Sequence, residues 1–291
     1  MSLTQYLKSC AGRFLHAVSP ALEAQLRRRF SRSRDRDWGY RTQLVKSCPD
    51  NAFIPRVPNA GEVVDGFQVM HNGLKVVCGS YYGEGPVSML RRNRGVHEPQ
   101  EERVFQEVLK VIPPESVIIE LGAYWAFYSM WFCKEVAHSH AFLVEPVAEN
   151  LAYGEKNFAA NSLHGHFTQA VVGRTPAVTD DGMAVISVDD FVARHRLSHV
   201  AIVHCDIQGA EVEMLEGCRN TIQEGRVSWF FISTHSDALH ADCETFLRDS
   251  RFVIVTSVPP SQSYAIDGIL VARASSVPGI PPLVISRRNA R

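Results

Sequence analysis

Four side chains stand where short apolar runs give way to polar residues: Glu120 after VII, Glu145 after AFLV, Asp206 after VAIVHC and His235 after VSWFFIST. Gly122, two residues beyond Glu120, allows a tight turn from strand to helix. Glu145 follows Gly122 by 23 residues, and an acid there can accept hydrogen bonds from both hydroxyls of an adenosine ribose. It can equally be a surface acid that caps the next helix. The loop Leu121-Gly122-Ala123-Tyr124-Trp125-Ala126 holds a single glycine. It therefore makes a poor cradle for pyrophosphate, which needs several close amides, and suits a ligand without phosphates. Asp206 and His235 end neighbouring runs and are placed to face one pocket. An imidazole titrates near neutrality, so His235 is the first choice for a base that deprotonates a hydroxyl, with Asp206 orienting it or holding substrate. In a second version the pair binds a divalent cation that lowers the hydroxyl pKa. In a third, His235 only caps a helix near residue 241. His204, one turn of strand earlier, reads as a hydrogen-bonded core histidine.

The elements that must hold these groups alternate. VIIEL, AFLVEP, FTQAVVG, VAIVHCDI and VSWFFIST read as strands, separated by helical stretches over 125–137, LAYGEKNFAANS, ISVDDFVARH, GAEVEMLEGCRNTI and ADCETFLRDS. FVIVTSV and GILVARA read as a closing antiparallel pair. Near-continuous apolar strands require cover on both faces, hence a mostly parallel sheet between helices, with ligands bound at the carboxyl ends of the strands. Upstream, FQVMHNGLKVV reads as a hairpin around Asn72–Gly73, followed by the loop GSYYGEGP. Arg91, Arg92 and Arg94 then fall in a surface loop that is either solvated or reaches an anionic substrate group. Pro99 opens a helix with Glu98, Glu101 and Glu102 near its positive end.

Composition narrows the classes. The 291 residues are 45% hydrophobic and 21% charged with a net charge of −1, which argues against a whole-protein grip on nucleic acid. No apolar run approaches the ~18 residues of a membrane span, and no signal peptide is expected. Residues 1–47 carry ten Lys/Arg against three acids, a head of +7 on a remainder of −8. That head is a solvated basic helix and tail, or a weak contact with a membrane surface or acidic partner. Seven cysteines without a CxxC pair point to reduced thiols and a cytoplasmic setting.

ELGAYWAFYSMWF, LVEP, NFAAN and HCDIQGAEVEML, in this order and spacing, resemble the FkbM family of S-adenosylmethionine-dependent methyltransferases over residues 97–256. HEPQEE and ISTHS resemble one branch of it, and CDIQGAE is the most specific block. The resemblance implies a Rossmann-like class I methyltransferase fold of α/β class. It has a mostly parallel seven-stranded sheet with helices on both faces; the resemblance does not cover residues 1–60, where loosely helical spacing over residues 3–30 reads as one or two helices of an N-terminal extension. Three segments follow: a basic extension and linker over 1–60, a hairpin and loop over 61–96, and the cofactor-binding domain over 97–291. The cofactor implied is S-adenosylmethionine. The chemistry implied is mostly O-methylation of a hydroxyl on a sugar, glycan or secondary metabolite. Glu120, Gly122 and Ala123 are then expected along the methionine moiety. Tyr124, Trp125, Tyr128 and Ser129 are candidates for its carboxylate or for the substrate wall. Glu145, with Pro146, holds the ribose, Gln169 and Ala170 flank adenine, and Glu98 approaches the amine. Asp206 borders cofactor and acceptor. Cys205 replaces an aliphatic residue, and Ala126 replaces a glycine, narrowing the room near methionine. A nicotinamide-dependent oxidoreductase and a non-catalytic module of the same fold are the competing readings.

Overall fold

Strands that are apolar on both sides must be buried on both sides, and this sets the architecture. The structure is a computed structural model and describes residues 38–180 and 182–289; the one or two helices read over residues 3–30 lie outside them. Five strands run parallel: β4 (Val117–Leu121), β5 (His140–Val144), β6 (His166–Thr168), β10 (Val200–Cys205) and β11 (Val227–Thr234). β12 (Phe252–Val258) and β13 (Gly268–Ala274) close the sheet antiparallel, in the order β12-β13-β11-β10-β4-β5-β6. This is the expected mostly parallel seven-stranded sheet.

Side chains alternate between two apolar layers. Ile118, Ile202, Trp229 and Val271 face α3 (Pro99–Leu109) and α4 (Phe127–Glu135). Ile119, Val203, Phe230 and Leu270 face α6 (Val188–Arg194), α7 (Glu211–Glu216) and α9 (Asp237–Asp249). α5 (Ala148–Ala160) adds Phe158 to the first layer. The order of strands reverses between β4 and β10, where doubly wound sheets open a crevice at their carboxyl ends.

Three expectations need correction. FTQAVVG is not one strand: it breaks at Gln169–Ala170, and β7 (Val171–Val172) joins a small sheet with β8 (Ala177–Val178) and β9 (Ala184–Ile186). GAEVEMLEGCRNTI is two helices, α7 and α8 (Arg219–Gln223). Gly217 separates them where a β-carbon would lie 2.6 Å from the Gly173 carbonyl oxygen, a backbone approach no larger residue permits. Arg91 and Arg92 end a helix, α2 (Glu84–Arg92), in place of a loop, with Arg94 just beyond it; all three are exposed.

Upstream of the sheet, β1 (Val63–Val64), β2 (Phe67–Val69) and β3 (Lys75–Val77) form an antiparallel meander whose second turn holds Asn72–Gly73. Its edge is tied to α5, since the amides of Lys75 and Val77 donate to Asn161 Oδ1 (2.9 Å) and Asn157 Oδ1 (2.8 Å). A helix over 38–47, α1, precedes it.

Candidate active site

Gly122 and Asp206 meet at the reversal point. The Asp206 amide donates to Leu121 O at 2.9 Å, and a β-carbon on Gly122 would sit 1.8 Å from the Asp206 carbonyl oxygen. With φ at +76°, only glycine suits this position. The two strand ends thus touch, and the cleft between them leads into a cavity of about 640 Å3. That size suits a drug-sized ligand.

Glu145 is buried on one wall. It accepts from the Tyr124 amide (3.2 Å), the Val147 amide (3.0 Å) and the Asn150 side chain (3.2 Å), which leaves about one lone pair directed elsewhere. Burial raises its pKa against these donors. Glu120 Oε2 accepts from the Ser129 amide at 2.9 Å, and burial raises its pKa as well.

On another wall lies a chain of buried charges. Glu98 Oε2 accepts from Tyr128 OH (3.0 Å) and faces His97 Nε2 at 3.2 Å, while Arg41 Nη2 stands 3.5 Å from Oε1. His97 Nδ1 lies 2.7 Å from Glu102, which faces His71 at 3.2 Å. Burial opposes charge on His97, but Glu98 and Glu102 outweigh it and hold the imidazolium up to about 10. Burial likewise opposes charge on Glu98, but His97 and Arg41 bring it down to about 2. His204, expected as a satisfied core histidine, bonds Glu101 at 2.8 Å and stacks on Tyr128 at 4.3 Å. It nevertheless lines the cavity, and its buried Nδ1 has no hydrogen-bond partner among the described residues.

His235 departs most from its expected role. Its Nδ1 lies 2.8 Å from Glu211 Oε1 and its Nε2 lies 3.2 Å from Asp206 Oδ1. Glu211 is fully buried and also accepts from the Gly209 amide at 3.0 Å, so it pins both the CDIQGAE turn and the imidazole. Burial opposes the charge, yet Asp206 and Glu211 push His235 up to about 11. An imidazolium has no lone pair with which to take a proton, and His235 is not among the residues lining the cavity. Its ring lies between Asp206 and Glu211. It does not cap the next helix either, because Ser236 Oγ accepts from the Leu239 amide at 3.1 Å. Among the described residues no cluster of three or more His, Cys, Asp or Glu has metal-holding geometry. With both ring nitrogens of His235 facing carboxylates, the divalent-cation version has no ligand set.

Nine of the expected residues line the one cavity: Glu98, Glu120, Gly122, Ala123, Tyr124, Trp125, Tyr128, Glu145 and Asp206. Ser129, Pro146, Gln169 and Ala170 do not. Ser129 contributes its backbone beneath Glu120. Gln169 donates to the Pro146 carbonyl oxygen at 3.1 Å, bracing the β6 end, and Ala170 is buried in the second apolar layer. Val147 and Asn150 border the cavity in their place. Nor does Ala126 narrow the cavity, as it does not line it. Its β-carbon would be 3.3 Å from one placed on Gly154, on α5.

Trp38, Arg41, Tyr81, Tyr82 and Asp267 line the cavity unforeseen. Tyr81 stacks on Trp125 at 4.4 Å, and Tyr82 meets Tyr124 edge-on at 4.8 Å. The Tyr–Tyr pair inside GSYYGEGP was the one available signal, as aromatics in a Gly/Pro-rich loop often face a ligand. Arg41 and Asp267 have no local signature. The wall carries five carboxylates (Glu98, Glu120, Glu145, Asp206 and Asp267) against Arg41, His97 and His204. Such a lining suits a ligand bearing cationic and hydroxyl groups and repels a polyphosphate.

A domain described as Methyltransferase FkbM matches residues 176–254. Among solved structures, precorrin-6y C5,15-methyltransferase from Geobacter metallireducens is 13% identical, covering 60% of this chain and 89% of that one at a TM-score of 0.42. TrmK of M. capricolum, in complex with S-adenosylhomocysteine, is 14% identical over 60% and 69% at 0.41. A ribosomal protein L11 methylase from Lactobacillus delbrueckii is 10% identical over 62% and 81%, also at 0.41. No curated protein matches the chain.

Proposed function

We propose that the chain transfers a methyl group from S-adenosylmethionine to a hydroxyl on a sugar, glycan or secondary metabolite, a reading that the match of residues 176–254 to an FkbM methyltransferase domain supports. One observation carries this reading: the acids ending β4, β5 and β10 converge on a single acid-lined cavity beside a turn that holds one glycine. Glu145 accepts from a ribose hydroxyl with its remaining lone pair. Glu98 and Glu120 face the methionine ammonium, and the aromatic faces of Tyr124 and Trp125 lie against the cationic moiety. Bound there, the cofactor supplies a methyl carbon already activated by sulfonium. What remains for the protein is to align the acceptor oxygen, exclude water and remove one proton. Asp206, clamped by His235, orients the acceptor hydroxyl.

Calorimetry on the full chain tests the cofactor. S-adenosylhomocysteine is expected to bind and NAD to fail; the reverse would show an oxidoreductase. Methyl-labelled cofactor offered with methyl glycosides and polyols, read by mass spectrometry, tests the acceptor class.

A further inference from the structure

Asp267 differs from every other carboxylate on the cavity wall in having no hydrogen-bond donor among the described residues. Glu98, Glu120 and Glu145 each accept from donors at 2.9–3.2 Å. Asp206 Oδ1 takes the Gln208 amide at 3.1 Å and faces His235. Asp267 Oδ1 stands 3.7 Å from His235 Nε2, and Oδ2 stands 3.7 Å from Arg41 Nη2. Both separations exceed hydrogen-bond range, so its lone pairs are uncommitted while two cations still stabilise its charge.

The backbone holds it there. Ile266 has φ at +84°, a conformation costly for a β-branched residue that persists only where its surroundings impose it. Those surroundings are visible. Gln100 Oε1 accepts from Ser263 Oγ (3.1 Å) and the Tyr264 amide (2.7 Å), and the Ala265 amide donates to Ser263 Oγ at 3.0 Å. Gln100 is itself fixed by donating to Ser286 O at 2.7 Å. A loop braced on α3 thus presents Ile266 and Asp267 to the cavity.

Resting on the methyl-transfer reading above, we propose that the Asp267 carboxylate is the base that takes the acceptor hydroxyl's proton. As the oxygen lone pair forms the new C–O bond, the S–C bonding pair leaves with sulfur as a neutral thioether, and the O–H proton passes to Asp267 and then to water. Its setting suits the task. Burial raises its pKa, with Asp206 and Glu98 adding to this, while Arg41 and His235 restrain the rise, leaving it at about 6. Asp267 is therefore ionised at neutral pH and close enough to it to accept a proton.

The test uses the full-length protein and Asp267→Asn, which keeps the shape and removes the base. Three readouts apply: calorimetric titration with S-adenosylhomocysteine, the pH titration of carboxyl-13C aspartate resonances, and label transfer to the methyl glycoside and polyol panel. Binding is expected to stay within about threefold of wild type, and transfer to fall about 100-fold or more. One aspartate resonance, absent in the variant, is expected to titrate between about pH 5 and 7. If that resonance titrates below about pH 4, or transfer survives in the variant, the base assignment is overturned. Should no panel member accept methyl from the wild type, the resonance decides alone. If neither protein binds S-adenosylhomocysteine, the cofactor reading fails instead.

Discussion

At the scale of single residues, buried charge dominates this protein. Glu145→Ala is expected to remove cofactor binding in a calorimetric titration with S-adenosylhomocysteine while leaving the fold intact; undiminished affinity would defeat the ribose assignment. His235→Ala acts on stability. It strands Glu211, fully buried, without its cation, at about 3 kcal/mol in urea unfolding. The pH dependence follows from the signs. Folded His235 stays protonated up to about 11 and His97 up to about 10, against 6.5 for a free imidazole. Their stabilisation is complete below 6.5 and is lost as pH rises through those values. Glu98, lowered from 4.5 to about 2, stabilises above 4.5, and that contribution is lost as pH falls through 2. Urea midpoints measured across pH are expected to decline on both sides of a plateau between those limits, with a shallower alkaline limb in His235→Ala. A wild-type alkaline limb already flat would contradict the imidazolium clamp.

At the scale of elements, two junctions decide whether the site exists. Gly122→Ala forces a β-carbon to within 1.8 Å of the Asp206 carbonyl oxygen at a φ of +76°. The β4–β10 contact must open, at about 3 kcal/mol or more. Loss of both stability and S-adenosylhomocysteine binding is expected, read by denaturation and calorimetry. Ser236→Ala removes the N-cap of α9 and is expected to cost about 1 kcal/mol in the same denaturation assay without touching cofactor affinity. Most elements around these junctions are readable from period and punctuation. β4, β10 and β11 are uninterrupted apolar runs, and Pro99 marks the start of α3. The breaks at Gln169–Ala170 and Gly217 escape such reading because neighbouring backbone imposes them. Gly217, for instance, yields to the Gly173 carbonyl more than forty residues earlier.

At the scale of the whole molecule, Asp50 ties distant segments together. It is fully buried, pairs with Arg103 of α3 and accepts from the Ser286 amide at 2.9 Å. One carboxylate therefore joins the residues after α1, the helix that opens the domain and the C-terminal tail. Asp50→Ala leaves Arg103 without its partner and is expected to lower stability by about 3 kcal/mol in chemical denaturation. Proteolysis is expected to release the tail beyond residue 275 first; a tail that stays protected would mean other contacts hold it. No helix among the described residues is long and apolar enough to cross a membrane.

The order of most strands and helices, the turn at Gly122 and the acids at the strand ends are legible in the linear chain. Each of these is a local matter of period, backbone freedom or the chemistry of one side chain. What those groups are paired with is set by folding in three dimensions. Glu211 and Asp206 both lie against His235. Asp267 enters the site because a loop braced on Gln100 carries it there. Arg41 arrives from a helix far upstream. Protonation and lone-pair availability depend on partners a few ångströms away in space, and separation along the chain does not encode that distance.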